Sequence, residues 1–186
     1  MLHLHLSQTL GEAEIAAWTT PEERAAAAAF APRRRDEWLS WRAVVRRELG
    51  HDVRIDYNAL GAPCLPDGEA CLSVSHCRGS IAVALAERPC AVDIETLARD
   101  FRSVAPRYLI PEEQMLSDDS HWLAVAWCAK ETLYKYAGRR ELDLLLDLRI
   151  EKVDFRTATL VGRICGEAPL TLRFLLLADR VVVWLS

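Results

Sequence analysis

The sequence lacks a CxxC pair, paired metal-finger spacing and any apolar run near the about 20 residues that span a bilayer. Its opening, "MLHLHLSQTL", has neither a basic segment nor a continuous apolar stretch, so we expect no signal peptide and no membrane association. The cysteines are few and scattered, at Cys64, Cys71, Cys77, Cys90, Cys128 and Cys165. We therefore expect free thiols and a reducing, cytoplasmic location.

Glycine and proline are also scarce, with 8 of each among 186 residues. A composition that is 51% hydrophobic and 27% charged is that of an ordinary globular chain and excludes a disordered one. The net charge of −4 argues against general nucleic-acid binding, although it leaves room for a local basic patch. A chain of this length can bury a full core without disulfides or a structural metal.

The pattern of the first half predicts a strand at 2–6, a capped helix within 19–31 and a long helix from Pro32 to Gly50. The stretches "CLSVSHC" and "SIAVALAE" predict two strands of a hairpin joined by "CRGS". The segment "GAPCLPDGEA" before them has turn chemistry.

The second half repeats the plan of a long helix followed by strands. Residues 91–96 predict a strand, and 121–138 predict a helix with one apolar stripe that ends at Gly138. Three β-like runs follow, and the last is a hairpin that turns at Asp179. We predict the α+β class, with halves 1–88 and 89–186 packed as one globular unit.

Two acids lie one residue apart in the apolar stretch "AVDIE". Alternation along a strand places Asp93 and Glu95 on one side. This stretch alone is typical of a half-buried strand with a solvated face. The alternative is a rigid pair of carboxylates that binds a hard cation.

The stretch "WCAKETLYK" adds a third acid. On a helix, Glu131 lies opposite the apolar stripe, and Lys135 and Trp127 share its face. A solvated Glu–Lys pair explains the charges, but a large indole on the same face favours a covered surface at a site between two halves. Three carboxylates without Cys–His spacing favour Mg²⁺ or Mn²⁺ over Zn²⁺.

Two further groups are candidates for chemistry. Ser75 and His76 follow one another where a strand ends, but adjacent residues point to opposite faces and no GxSxG elbow is present, so a hydrolase is disfavoured. Three arginines, residues 33–35, open the long helix, either as a basic solvated face or as an anion site.

Taken in order, "PEERAAAAAFAPRRRDEWLSWRAVVRREL", "GAPCLPD", "LSVSHC", "AVDIE" and "WCAKETLYK" resemble the 4′-phosphopantetheinyl transferases of the larger, surfactin-synthetase-activating type. The resemblance spans about residues 20 to 138. It implies two pseudo-twofold-related halves, each a long helix on a small antiparallel sheet, with coenzyme A in the cleft between them.

The resemblance also implies an activity and its partners. Members transfer the 4′-phosphopantetheine arm of coenzyme A to a serine of an apo acyl or peptidyl carrier protein and release 3′,5′-ADP. These carriers serve fatty-acid, polyketide or nonribosomal-peptide biosynthesis. We expect this chain to act in the same way as a monomer.

Roles carry over residue by residue. Asp93, Glu95 and Glu131 would bind Mg²⁺. The base for the carrier serine would be Glu131 or a metal-bound water that it orients. Lys135 would contact the pyrophosphate. The 3′-phosphate of coenzyme A would be held by Arg33, Ser75 and His76, and Lys130 belongs to the motif with a less defined role in binding coenzyme A.

The chain departs from the family pattern at phosphate-binding positions. Ala62 stands where the family usually has lysine, and Glu23 and Ala26 replace basic residues. A non-catalytic binder of coenzyme A or carrier protein is therefore the chief alternative. A metal-dependent phosphoesterase that hydrolyses a pyrophosphate bond is a more distant one.

Overall fold

A computed structural model describes residues 1–66 and 69–186, and these form two compact units, Met1–Pro89 and Cys90–Ser186. Each unit combines helices with an antiparallel sheet, so the predicted α+β class is confirmed. The pseudo-twofold relation between them stays a prediction. Asp67 and Gly68 of the predicted turn segment lie outside the described residues.

The described residues of the first unit form three helices and five strands. In chain order they are β1 (Leu2–Gln8), α1 (Glu12–Trp18), α2 (Pro21–Ala27), α3 (Pro32–Leu49), β2 (Asp56–Tyr57), β3 (Pro63–Cys64), β4 (Cys71–Cys77) and β5 (Ser80–Ala86). Three of the strands form an antiparallel sheet in the order β1-β5-β4, and β2 pairs with β3.

The core of this unit lies between α3 and the central strand β5. Trp41, Val44 and Val45 of α3 pack with Ile81 and Val83 of β5, and all five side chains are buried. Because the partners on the strand are two residues apart, they share the face that the helix covers. The predicted long helix and hairpin are thereby confirmed.

Local chemistry sets the ends of these elements. The Thr20 hydroxyl and the Glu23 carboxylate form a reciprocal capping box that starts α2. The predicted stop of α3 is observed at Gly50, whose φ of 76° is readily adopted only by glycine. Arg78 and Gly79, both with positive φ, form the tight turn between β4 and β5.

The second unit contains two α-helices, one 3₁₀ turn and five strands. In chain order they are β6 (Ala91–Thr96), the 3₁₀ turn (Ala105–Arg107), α4 (Pro111–Gln114), α5 (Trp122–Ala137), β7 (Leu148–Asp154), β8 (Thr159–Ile164), β9 (Leu170–Leu176) and β10 (Arg180–Leu185). The strands form one antiparallel sheet in the order β6-β10-β9-β8-β7.

Helix α5 packs on this sheet with the stripe that its sequence predicts. Trp122, Ala126, Ala129 and Leu133 are buried in one cluster with side chains of β7, β8, β9 and β10. None of the helices in the described part of the chain combines the length and hydropathy that a bilayer crossing requires. The short elements α1, β2, β3, α4 and the 3₁₀ turn are additions to the predicted plan.

The close approach of α5 to β8 depends on Gly162. A Cβ at this position would lie 2.8 Å from Leu133 Cδ1 and 3.1 Å from Leu172 Cδ1. We expect Gly162→Ala to lower the free energy of unfolding by about 1–3 kcal/mol, because overpacking forces these leucines off their rotamers.

Urea unfolding of the full chain measures this change. Gly11→Ala is the matched control, because nothing lies within 4 Å of its Cβ and its φ is −70°. Gly11 is the N-cap of α1 and makes no side-chain cap bond, so the control should change the stability by less than about 1 kcal/mol. Equal stability of the two variants would contradict a tight contact between α5 and β8.

Candidate functional site

The acids of β6 and the charged residues of α5 come together in the second unit. Asp93 is buried, with a relative exposure of 7%, and its Oδ1 accepts a hydrogen bond from Lys135 Nζ at 2.8 Å. The same Nζ donates to the carbonyl oxygen of Val92 at 3.0 Å. Lys135 therefore ties the last turn of α5 to the strand that carries the acids.

Glu131, one helical turn before Lys135, is part of the same charged cluster. Burial raises the pKa of the Glu131 carboxyl, and the charge of Asp93 raises it further. Lys135 and Arg99 oppose this rise, and Glu95 adds to it. The three acids predicted from sequence thus lie within electrostatic reach of one another and of two cations.

The second acid of the strand, Glu95, has its own cation. Arg99 Nη1 lies 2.8 Å from Glu95 Oε2, and the backbone N–H of Thr96 donates to Glu95 Oε1 at 2.7 Å. The Arg99 guanidinium also stacks 4.3 Å from the centre of the Trp127 ring. Arg99 carried no signal in the sequence patterns that identified the acids.

The indole on the polar face of α5 is covered from within its own unit. Trp127 packs edge-to-face against Tyr108 with ring centroids 5.1 Å apart, and Arg99 covers it from another direction. Trp127 is half-buried, and both of these contacts lie within the second unit. The site between two halves that the sequence predicts stays a prediction.

The donor set suits a hard divalent cation. Carboxylate oxygens are the ligands that Mg²⁺ prefers, and the repulsion that raises the pKa of Glu131 is one that such an ion relieves. Within residues 1–66 and 69–186, however, no group of three His, Cys, Asp or Glu side chains is close enough to hold a metal together. The three-carboxylate magnesium site stays a prediction.

Lys130 is not brought into this cluster. Its ammonium group is fully buried, lies 2.8 Å from Glu113 Oε1 and donates to the carbonyl oxygen of Leu144 at 3.0 Å. Burial lowers the pKa of Lys130, and the Glu113 carboxylate opposes this shift. These surroundings indicate a structural role for Lys130, and its contact with coenzyme A stays a prediction.

Glu113 is a buried residue that sequence reasoning missed. Its two oxygens also accept the backbone N–H groups of Ile110 and Ile150, so this carboxylate joins α4, β7 and α5. The position follows Pro111 at the start of a short helix, a pattern that indicates a helix cap but not a buried ion pair.

The first unit contains a pocket of about 710 Å³. It is bordered by the start of α3, the strands β2 and β3, and the end of β4. Its lining residues are Ala31, Pro32, Arg33, Arg34, Glu37, Trp38, Trp41, Tyr57, Pro63, Val74 and His76. Two of the predicted phosphate-binding residues, Arg33 and His76, therefore share one pocket. Ser75 is buried on the other face of β4 and does not line it.

A buried carboxylate holds the histidine of this pocket. Glu37 Oε2 lies 3.0 Å from His76 Nδ1, and Glu37 Oε1 accepts the backbone N–H of Gly79 at 2.7 Å. Glu37 is only 4% exposed, so it bridges helix α3 and the β4–β5 turn from inside the fold. The sequence pattern predicts a basic start of this helix at residues 33–35 and gives no sign that Glu37 is buried.

Comparison with known proteins gives a family. The model of the 4′-phosphopantetheinyl transferase superfamily (ACPS) matches residues 89–182, half of the chain. No curated protein matches the chain. The match contains Asp93, Glu95, Glu131 and Lys135, the cluster described above.

The chain belongs to the 4′-phosphopantetheinyl transferase superfamily. Membership implies a transferase of the phosphopantetheinyl type, with coenzyme A as substrate and a carrier protein as partner. The larger, pseudo-dimeric type is not distinguished by this match and stays a prediction.

The buried Lys130–Glu113 pair should matter for stability. Removing one partner of a buried ion pair leaves an uncompensated charge, so we expect Lys130→Ala to cost about 3–5 kcal/mol of unfolding free energy. Lys152→Ala, on the exposed part of β7, is the control and should change little. Urea unfolding measures both. A stable Lys130→Ala chain that has lost coenzyme A binding would contradict the structural role.

Proposed function

We propose that the chain transfers 4′-phosphopantetheine from coenzyme A to the serine hydroxyl of an apo acyl or peptidyl carrier protein, in a Mg²⁺-dependent reaction that releases 3′,5′-ADP. The observation that carries the proposal is the cluster of Asp93, Glu95, Glu131 and Lys135 inside the family match. Displacement on a pyrophosphate needs charge neutralisation and a base, and this cluster contains both kinds of group.

The proposed base is Glu131. The serine oxygen attacks the β-phosphorus, the bond from that phosphorus to the oxygen of 3′,5′-ADP breaks, and the serine proton passes to the Glu131 carboxylate. Burial raises the pKa of this carboxyl and favours proton uptake, whereas the repulsion from the neighbouring acids is the part of the shift that a bound divalent ion would relieve.

Lys135 is proposed to stabilise the departing 3′,5′-ADP oxygen. Its ammonium group lies beside Asp93 and the backbone of β6, where its positive charge would stabilise negative charge on a phosphate oxygen. Asp93, Glu95 and Glu131 are the residues that would hold Mg²⁺, or Mn²⁺ in its place. A bound divalent ion would neutralise negative charge on the pyrophosphate.

The pocket of the first unit is proposed to bind the 3′-phosphate of coenzyme A. Arg33 and His76 line it together with Arg34. These arginines are proposed to compensate for the lysine that the family pattern usually has at the position of Ala62. Bidentate arginine contacts suit phosphate oxygens. The predicted Ser75 contact is not part of this proposal, because that side chain is buried on the other face.

The cellular location is proposed from the state of the cysteines. All six cysteines are free thiols, which supports a reducing compartment such as the cytoplasm. We propose a monomer that serves fatty-acid, polyketide or nonribosomal-peptide biosynthesis through its carrier protein.

A non-catalytic binder of coenzyme A or carrier protein is the second candidate. It is favoured by one observation, that Asp93 and Glu95 are each held by a cation of the protein, Lys135 and Arg99. A binder would leave the carrier serine unmodified, so one product measurement distinguishes the two functions.

The deciding experiment is the intact mass of purified apo carrier protein after incubation with this chain, coenzyme A and Mg²⁺, with EDTA in a parallel sample. A gain of about 340 Da that EDTA abolishes would establish metal-assisted transfer. No gain across acyl and peptidyl carriers, with coenzyme A still bound, would establish the binder. Free phosphopantetheine without a modified carrier would indicate a phosphoesterase.

The proposed base can be tested by an isosteric change. Glu131→Gln keeps the shape of the side chain but cannot accept the serine proton, so we expect the transfer rate to fall by about 10²–10⁴-fold. Glu112→Gln, an exposed glutamate at the start of α4, is the matched control and should retain the rate. Thermal unfolding of both variants checks the fold. A Glu131→Gln chain with a near-normal rate would exclude this residue as the base.

A further inference from the structure

The tyrosine in the lining of the first unit's pocket has an unusual set of hydrogen bonds. The Tyr57 hydroxyl oxygen accepts from Trp38 Nε1 at 3.1 Å and from Arg42 Nη2 at 2.9 Å. An indole N–H and a guanidinium can only donate, so both lone pairs of the hydroxyl oxygen are occupied. The proton of this hydroxyl must therefore be donated to a third group.

No protein group takes that proton within residues 1–66 and 69–186. The two bonds to Trp38 and Arg42 are the hydrogen bonds of the Tyr57 side chain in this part of the chain. The ring is half exposed and borders the pocket that Arg33, Arg34 and His76 also line. The pocket therefore contains an oriented O–H donor in addition to its cationic groups.

A buried cation fixes the orientation of this hydroxyl. Arg42 is 2% exposed, and its guanidinium lies 3.5 Å from the centre of the Trp38 ring and 4.1 Å from that of Trp41. Its Nε is 3.2 Å from Glu23 Oε1, and Arg46 binds the same carboxylate through two nitrogens. Stacking and ion pairing hold the Arg42 guanidinium in place. Because the guanidinium is planar and its donors have fixed directions, the held group presents its Nη2 to the Tyr57 hydroxyl oxygen.

The charge of the pocket indicates which acceptor receives the proton. Arg33 and Arg34 favour an anionic group, and the one acid of the lining, Glu37, already has its oxygens engaged by His76 and the Gly79 N–H. A phosphate oxygen is the acceptor that satisfies the arginines and the hydroxyl together.

We propose that Tyr57 donates a hydrogen bond to a phosphate oxygen of the ligand in this pocket, and that Arg42 is the positioning residue that forces its proton toward that ligand. The inference rests on the proposed function for the identity of the ligand, coenzyme A with its 3′-phosphate. The inference adds two residues to the predicted phosphate-binding set. Tyr57 is a neutral hydrogen-bond donor, and the buried Arg42 acts by orienting the Tyr57 hydroxyl.

Calorimetric binding of coenzyme A and of 3′-dephospho-coenzyme A to the full chain tests the first part. Tyr57→Phe removes the donor and keeps the ring, so coenzyme A should bind about tenfold more weakly, the worth of one hydrogen bond to a charged group. Dephospho-coenzyme A should change by less than about twofold, because it lacks the acceptor. In the transfer assay the KM for coenzyme A should rise while kcat stays the same.

Controls separate the two proposals. Tyr136→Phe removes a hydroxyl from α5 in the second unit and should leave both affinities unchanged. If the unmodified chain fails to bind coenzyme A, the proposed function fails. If it binds coenzyme A and Tyr57→Phe binds equally well, or loses dephospho-coenzyme A to the same extent, only the role of Tyr57 is overturned.

Arg42→Lys tests the positioning role. Lysine keeps the charge but lacks the planar fork, so coenzyme A should bind several-fold more weakly when Tyr57 is present and show no further loss in the Tyr57→Phe background. Equal losses in both backgrounds would overturn the positioning role. Tyr57→Phe alone decides the role of the tyrosine if Arg42→Lys lowers the folded fraction.

Discussion

The ion pair between Asp93 and Lys135 is the interaction on which the second unit's site depends. It joins the strand that carries two of the acids to the helix that carries the third, and it is made by a buried carboxylate and an ammonium that also bonds the backbone of the strand. Because Lys135 lies one turn after Glu131, fixing the lysine also fixes the direction in which Glu131 points. The packing of α5 on its sheet and the position of the charged groups are therefore set together.

Charge balance explains how three acids can share this space. Lys135 compensates Asp93, Arg99 compensates Glu95, and Glu131 is left with a carboxyl whose pKa is raised by burial and by its acidic neighbours. Arg99 is in turn held by stacking on Trp127, which packs on Tyr108. A group with a raised pKa beside compensated acids is a common arrangement at catalytic sites, where the environment gives similar side chains different roles.

The long elements and the acidic cluster could be predicted from sequence because strong local rules govern them. The stripes of α3 and α5, the stops at Gly50 and Gly138 and the alternation of β6 each depend on residues close in the chain. The pairs Lys130–Glu113 and His76–Glu37 could not be predicted, since their partners are 17 and 39 residues apart and only tertiary packing brings them together. Strands of two residues, such as β2, are too short for any periodicity to indicate.

The turn between β4 and β5 has a consequence for how freely this surface segment can vary. Its Gly79 N–H anchors Glu37, and Glu37 in turn holds His76, three residues before the glycine on the same hairpin. A hairpin of this kind has its register set by the length of its turn, and a slip of one residue sends every side chain of a strand to the opposite face. A shift of β4 by one residue against β5, which an insertion between Cys77 and Ser80 can produce, would turn His76 away from Glu37 and out of its pocket. Surface loops usually tolerate changes in length, but this turn is constrained because its Gly79 N–H bonds the buried carboxylate of Glu37.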